Sequence, residues 1–234
     1  MRNPYFFSGV IKYIIINLLD KLEPLKGPLK ETGYTIFNFN DYPELDSEND
    51  INKILEIVSK ILSRKELSTS IKSYLKYPRL DQIRVLKSPL LDYSPQSEWH
   101  HDSVGHRIKV YIGLDTKITR EVFTEIISSS HKNIYFDYNN TRLVISEQEK
   151  KMKPVKIAIK KGMIFLFDTN MIHKGVYSKL KSRRVIELEF SSYLKGIILP
   201  GKIGRKNYSR PRNLLNNSSF RKTLSNRLKN YGLI

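Results

Sequence analysis

The period of the hydrophobic pattern changes near residue 80. Before that point apolar residues recur at helical spacing. Val10, Ile11, Ile14, Ile15, Leu18 and Leu19 form one stripe of a helix that Ser8 would cap and that Pro24, Gly27 and Pro28 would stop after about Leu22. Ile51, Ile54, Leu55, Val58, Ile61 and Leu62 make a second amphipathic helix, from about Glu48 to Arg64. A shorter helix is expected from about Leu67 to Tyr77, and Gly33 to Phe39 alternates with the period of a strand.

From Leu80 onward the pattern is one of short β runs: Ile83–Leu86, Arg107–Leu114, Phe123–Ile127, Thr141–Ile145, Val155–Ile159, Met163–Phe167 and Arg184–Tyr193. Strands this short at this spacing predict a sandwich or jelly roll, mainly β, with helices packed on one sheet from outside. The chain then divides into an N-terminal helical and strand region (1–79) packing on the barrel, a jelly-roll core (80–195) and a C-terminal tail (196–234).

Composition narrows the chemistry. The 234 residues are 40% hydrophobic, enough for one large core, and no run of 18 apolar residues marks a transmembrane helix. The first 22 residues carry Lys12 and Asn17 and lack a small-residue cleavage site, so they read as an amphipathic helix and not a signal peptide. There is no cysteine. That excludes disulfides, thiolate metal sites and cysteine nucleophiles, is compatible with a cytoplasmic location, and leaves histidine and carboxylate as the only metal ligands.

The formal charge is +18, and residues 195–234 hold ten Lys or Arg and no acidic residue. Such a tail reads as a solvated basic surface, with an anionic partner such as nucleic acid, acidic lipid or an acidic glycan as the alternative. It is expected to be dispensable for the core. The alternative is that Ile197, Ile198, Leu199, Leu214, Leu215 and Phe220 fold back and complete it.

Five histidines are present, at 100, 101, 106, 131 and 173. On an extended segment His100 and Asp102 project to one face, and His101 points the other way. The pair alone is a weak signal, since such pairs more often make surface hydrogen bonds. His173 strengthens it, because it follows the strand-like run Met163–Phe167 and precedes Gly175 at a turn. Two histidines and one carboxylate on one face would leave three open positions on an octahedral ion, the arrangement of non-haem iron(II) oxygenases. His106 and His131 pair with nothing that demands a metal and read as structural.

Arg184 adds a second argument. In Arg184–Phe190 the even positions are Arg, Ile, Leu and Phe, and the odd ones are Val, Glu and Glu. Alternation therefore puts Arg184 on the apolar face and Arg183 in solvent. A buried guanidinium needs an anion, and a carboxylate fits its fork. An internal salt bridge to Asp or Glu is the alternative.

Several segments together resemble the phytanoyl-CoA dioxygenase-like family of iron(II)/2-oxoglutarate oxygenases. The carriers are Trp99-His100-His101-Asp102; the Lys109-bearing run Ile108 to Asp115; Ser128-Ser129-Ser130-His131-Lys132, similar to a Pro-Gly-Ser-His loop; and Gly162–Asp168 with His173 and Arg184. The resemblance covers about residues 80–193. Ser128-Ser129 in place of Pro-Gly, and Thr119–Val122 in place of an Asn-Gly turn, are departures in loops.

The resemblance implies a double-stranded β-helix, a cupin-like jelly roll, that binds Fe(II) through His100, Asp102 and His173. Arg184 would hold the distal carboxylate of the co-substrate 2-oxoglutarate, with Lys109 and Tyr111 near it. With dioxygen, such a protein hydroxylates a small-molecule, lipid- or sugar-linked substrate. A filled carboxylate position at Asp102 favours hydroxylation over halogenation. Two other functions compete. One is a catalytically silent jelly roll binding nucleic acid or another anionic polymer through its tail. The other is a cupin-type metal isomerase or hydrolase, which would leave Arg184 without an anion.

Overall fold

A computed structural model describes residues 14, 18, 26–88, 97–102, 107–116, 121–132, 138–139, 142–143, 152–178, 181–192 and 212–229. The helix predicted over residues 8–22 lies outside these apart from Ile14 and Leu18, and His106 lies outside them altogether. The described elements run α1 (Pro28–Thr32), β1 (Tyr34–Asn38), α2 (Ile51–Leu62), α3 (Lys65–Tyr74), β2 (Arg79–Ser88), β3 (Arg107–Gly113), β4 (Phe123–Ile126), β5 (Tyr138–Asn139), β6 (Arg142–Leu143), β7 (Val155–Ile157), β8 (Met163–Asp168), β9 (His173–Val176), β10 (Arg183–Ser191) and α4 (Ser218–Lys229), with 3-10 turns at Ser130–Lys132 and Leu214–Asn216.

The strands build a jelly roll from two antiparallel sheets. The larger has the order β1-β8-β3-β10-β2, the smaller β7-β4-β9, and β5 and β6 form a separate hairpin. Residue 100 extends the smaller sheet through an isolated antiparallel bridge to His173.

Both faces of the larger sheet are covered. Its outer face carries Ile108, Val110, Ile112, Ile164, Leu166, Ile186, Leu188 and Phe190, packed with Ile54, Ile57, Val58, Ile61 and Leu62 of α2 and Leu67 and Ile71 of α3. The helical stripe read from the sequence is thus the surface that meets the sheet. Asp50 starts α2 by accepting from the Lys53 N–H at 3.0 Å. The inner face, with Phe165, Phe167 and Val185, closes against Ile126, Ile157 and Ile159 of the smaller-sheet side.

Two close approaches hold β3 at the barrel's end. The Tyr42 hydroxyl donates to the Gly113 carbonyl at 2.5 Å and accepts from the Gly162 N–H at 2.7 Å. A Cβ at Gly113 would stand 1.9 Å from the Lys160 carbonyl oxygen, so only glycine fits there.

The expected separation of the C-terminal tail from the core is corrected by residues 212–229. Phe220, Leu224 and Leu228 of α4 are buried in the same cluster as α2, and Leu214 and Leu215 pack against it. Asn213 also caps the open edge of β2: its Oδ1 accepts from the Ile83 N–H at 3.1 Å and its Nδ2 donates to the Asp81 carbonyl at 3.2 Å. Charge dominated this stretch of sequence, while three apolar residues at helical spacing decided where it packs. Among the described residues, no helix is long and apolar enough to cross a membrane.

Candidate metal centre and anion site

His100 and His173 lie directly opposite each other in the bridge. The His100 N–H donates to the His173 carbonyl at 3.0 Å and the His173 N–H to the His100 carbonyl at 2.8 Å. Their rings are consequently 4.3 Å apart between centroids. Asp102, two residues on, is fixed by its backbone N–H to the Thr169 carbonyl at 2.8 Å. One ligand atom from each of His100, Asp102 and His173 falls within 4.8 Å of the others. The His100 Nε2 is 3.8 Å from Asp102 Oδ1, and the His173 Nε2 is 3.6 Å from Asp102 Oδ2. His101 is outside this group.

The ring orientations suit a cation. The Nδ1 of His100 is 2.7 Å from the Glu98 carbonyl, and the Nδ1 of His173 is 2.8 Å from the Met171 carbonyl. A carbonyl only accepts, so each Nδ1 carries the proton. Each Nε2 then presents a lone pair toward Asp102, the tautomer a metal requires. Burial, with His100 beside it, lowers the His173 pKa to about 3, so the ring is neutral at neutral pH. Burial works to raise the Asp102 pKa, but the Lys109 ammonium and the two histidines outweigh it and hold the carboxyl well below its usual range.

The turn that delivers His173 is itself anchored. Tyr74 of α3 donates its buried hydroxyl to Asp168 Oδ2. Asp168 Oδ1 accepts from the Asn170 backbone N–H at 2.6 Å and from its side-chain amide at 2.8 Å. Residues 169–172 are thereby fixed from both the helix layer and the strand. His131, read as a structural residue, is bonded through Nε2 to the Lys30 carbonyl at 3.0 Å and ties its loop to α1.

A cleft opens beside the triad, lined by His100, His173, Lys109, Tyr111, Thr124, Tyr177, Arg183 and Val185 among others. Tyr111 packs edge-on to Phe167 at 5.4 Å, and Phe167 edge-on to His173 at 5.1 Å, giving the cleft an aromatic wall. Burial raises the Tyr111 pKa, so its hydroxyl stays protonated. Trp99 lies under the Lys174 ammonium, 4.6 Å from its ring centroid.

The structure reverses the expected placement of Arg183 and Arg184 relative to the barrel interior. Arg184 is half-buried outside the cleft. Its Nε donates to Asp115 Oδ1 at 2.8 Å and its Nη1 to the Leu45 carbonyl at 3.0 Å. The alternative, an internal salt bridge, is what the structure contains. Arg183 is only 7% exposed. It donates one long bond, 3.4 Å from Nη1 to Thr124 Oγ1, and its buried Nε has no partner. Among the described residues no carboxylate pairs with it. The alternation argument failed because it assumed one buried face, whereas β10 is buried on both. Even positions meet the helices, and odd positions, including Arg183, Glu187 and Glu189, line the barrel.

Lys109 lines the same cleft, and its ammonium is paired there. Its Nζ is 2.6 Å from Asp102 Oδ2 and 3.6 Å from Glu187 Oε2. Burial works to lower its pKa, but these two carboxylates raise it, so it stays an ammonium. Glu187 in turn receives Arg84 Nη1 at 3.2 Å. No motif or alternation pointed to Glu187 beside Lys109, or to Thr124 and Tyr177 in the cleft.

No protein-family model matches the sequence, and no curated protein matches it. Solved structures do share the fold. SnoN, an epimerase solved in complex with Fe3+, alpha-ketoglutarate and nogalamycin RO, is 13% identical with a TM-score of 0.54, over 84% of this chain and 94% of that one. EctD from S. alaskensis, solved with 2-oxoglutarate and 5-hydroxyectoine, is 14% identical with a TM-score of 0.52, over 80% of this chain and 79% of that one. The chain therefore has the jelly-roll fold of these 2-oxoglutarate proteins, with a His–Asp–His cluster suited to a metal inside it.

Proposed function

We propose that the protein is a non-haem iron(II)/2-oxoglutarate-dependent oxygenase that hydroxylates a small-molecule, lipid- or sugar-linked substrate. One observation carries this reading: three metal-ligand atoms converge beside a cleft that holds a buried guanidinium with no carboxylate partner among the described residues. A lone buried cation is costly unless an anion meets it. A dicarboxylic 2-oxo acid supplies both halves, a chelating end for the ion and a carboxylate for Arg183.

His100, Asp102 and His173 would hold iron(II), and the ion with 2-oxoglutarate and dioxygen supplies oxidative decarboxylation coupled to C–H hydroxylation. The chain's own residues do the rest. Arg183 orients the distal carboxylate, and Thr124 and Tyr177 line its end of the cleft. Tyr111 remains a candidate contact for the 2-oxo acid, with Phe165, Phe167 and Val185 excluding water behind it. Asp102 fills the third protein position at the ion, which favours hydroxylation over halide transfer. Exposed Arg221, Lys222, Arg227 and Lys229 of α4, with no acidic residue on that helix, would draw an anionic substrate or surface by long-range attraction.

The test is iron-dependent succinate formation from 2-oxoglutarate by the purified protein, followed across a panel of lipids, sugars, amino acids and nucleobases. Stimulation by one substrate class with a product 16 Da heavier supports hydroxylation. No succinate with any substrate, and none uncoupled, returns the protein to the class of silent binders.

A further inference from the structure

We propose that Lys109 is a positioning residue for the metal centre, holding one oxygen of Asp102 so that the other is presented to the ion. This rests on the metal-site reading above. Asp102 follows a single bridged residue and is not inside a continuous strand, so the ladder alone does not orient its carboxylate. Among the described residues one side-chain anchor is present. The Lys109 Nζ sits 2.6 Å from Oδ2, the oxygen 3.6 Å from His173 Nε2, while Oδ1 lies 3.8 Å from His100 Nε2.

The anchor is rigid. Lys109 lies in the middle of β3, between Phe167 of β8 and Glu189 of β10 in register, at the centre of the larger sheet. Glu187, from the neighbouring strand, steadies the ammonium from its other side at 3.6 Å and is itself held by Arg84. The order Arg84, Glu187, Lys109, Asp102 thus transmits the position of three sheet strands to one loop carboxylate.

A purely structural ion pair accounts for less. Glu187 already has Arg84, and an apolar side chain of similar length would fill the interior without burying another charge. The ammonium also repels a nearby dication, so its presence there works against metal affinity unless the orientation it imposes is worth more. Carboxylates that ligate metals are typically held by such outer partners, whose loss weakens binding by roughly 10- to 100-fold.

The experiment uses the full chain freed of metal, with Co(II) as probe, read by calorimetry and by the visible ligand-field spectrum. Lys109→Met should raise the Co(II) dissociation constant roughly 10- to 100-fold and alter the spectrum, with unchanged far-ultraviolet circular dichroism. Lys109→Arg, which keeps a donor, should recover part of the affinity. Glu187→Gln should weaken binding severalfold. Wild-type or tighter affinity with the wild-type spectrum in Lys109→Met overturns the proposal and makes Lys109 a competitor of the ion. Should that variant not fold, wild-type affinity and spectrum in both Lys109→Arg and Glu187→Gln overturn it equally. Failure of the underlying reading looks different: wild-type protein then binds no Co(II), or binds it unchanged after His173→Ala, and the role of Lys109 goes with it.

Discussion

His100 and His173 exchange both backbone hydrogen bonds across one antiparallel bridge, at 3.0 and 2.8 Å, and this pairing sets their rings 4.3 Å apart. They are 73 residues apart in the chain, and a single rung of the smaller sheet makes them neighbours. Side chains directly opposite in such a pair share a face of the sheet. The two Nε2 atoms can therefore address one ion without any movement of the backbone.

Removing one of these ligands should abolish turnover and leave the fold. His173→Ala deletes a ring whose backbone bridge does not depend on it. Succinate formation should fall at least about 100-fold and Co(II) binding should be lost, with an intact circular dichroism spectrum. Wild-type turnover in this variant would exclude His173 as a ligand.

Arg183 and Arg184 should behave oppositely. If Arg183 holds the distal carboxylate as proposed, Arg183→Ala removes a charge-assisted contact worth about 1.5–3 kcal/mol, and the KM for 2-oxoglutarate should rise roughly 10- to 150-fold. Arg184→Ala breaks a partly buried pair with Asp115 and a bond to the Leu45 carbonyl, and should lower stability with the KM unmoved. Steady-state kinetics of both variants decide it. A larger KM effect from Arg184 would restore the alternation argument.

The metal-free protein should lose stability as pH falls from 6.5. Folding lowers the His173 pKa from 6.5 to about 3. In that window the unfolded chain takes up a proton that the folded one refuses, so the contribution is complete above 6.5 and lost on acidification. Between pH 6.5 and 5 the loss should be on the order of 1–2 kcal/mol in urea unfolding. His173→Gln should flatten this part of the profile, and an identical slope in the variant would assign the effect to another group.

The C-terminal helix should prove structural. Leu224, 1% exposed in the core shared with α2, should cost about 2–4 kcal/mol on change to alanine. A chain ending near Gly196 loses Phe220, Leu224 and Leu228 together, a burial comparable with the whole stability of a domain, and should aggregate or unfold. A soluble truncated protein with full-length thermal stability would show that α4 contributes little.

Local pattern alone determined much of this protein. Spacing of apolar residues marked α2 and most strands, because each element buries a face whose period the sequence records. It also placed His100 and Asp102 on one side of an extended segment, since alternation is a property of the backbone itself. What alternation could not tell is which face of β10 meets helices and which meets the barrel interior. Both are buried, so Arg183 was read as exposed. Equally, only the fold joins His100 to His173, seats Lys109 on Asp102 from another strand, and turns Asn213 onto the edge of β2. Those contacts depend on which strands become neighbours, a choice made by packing of the whole chain and recorded at no single position in it.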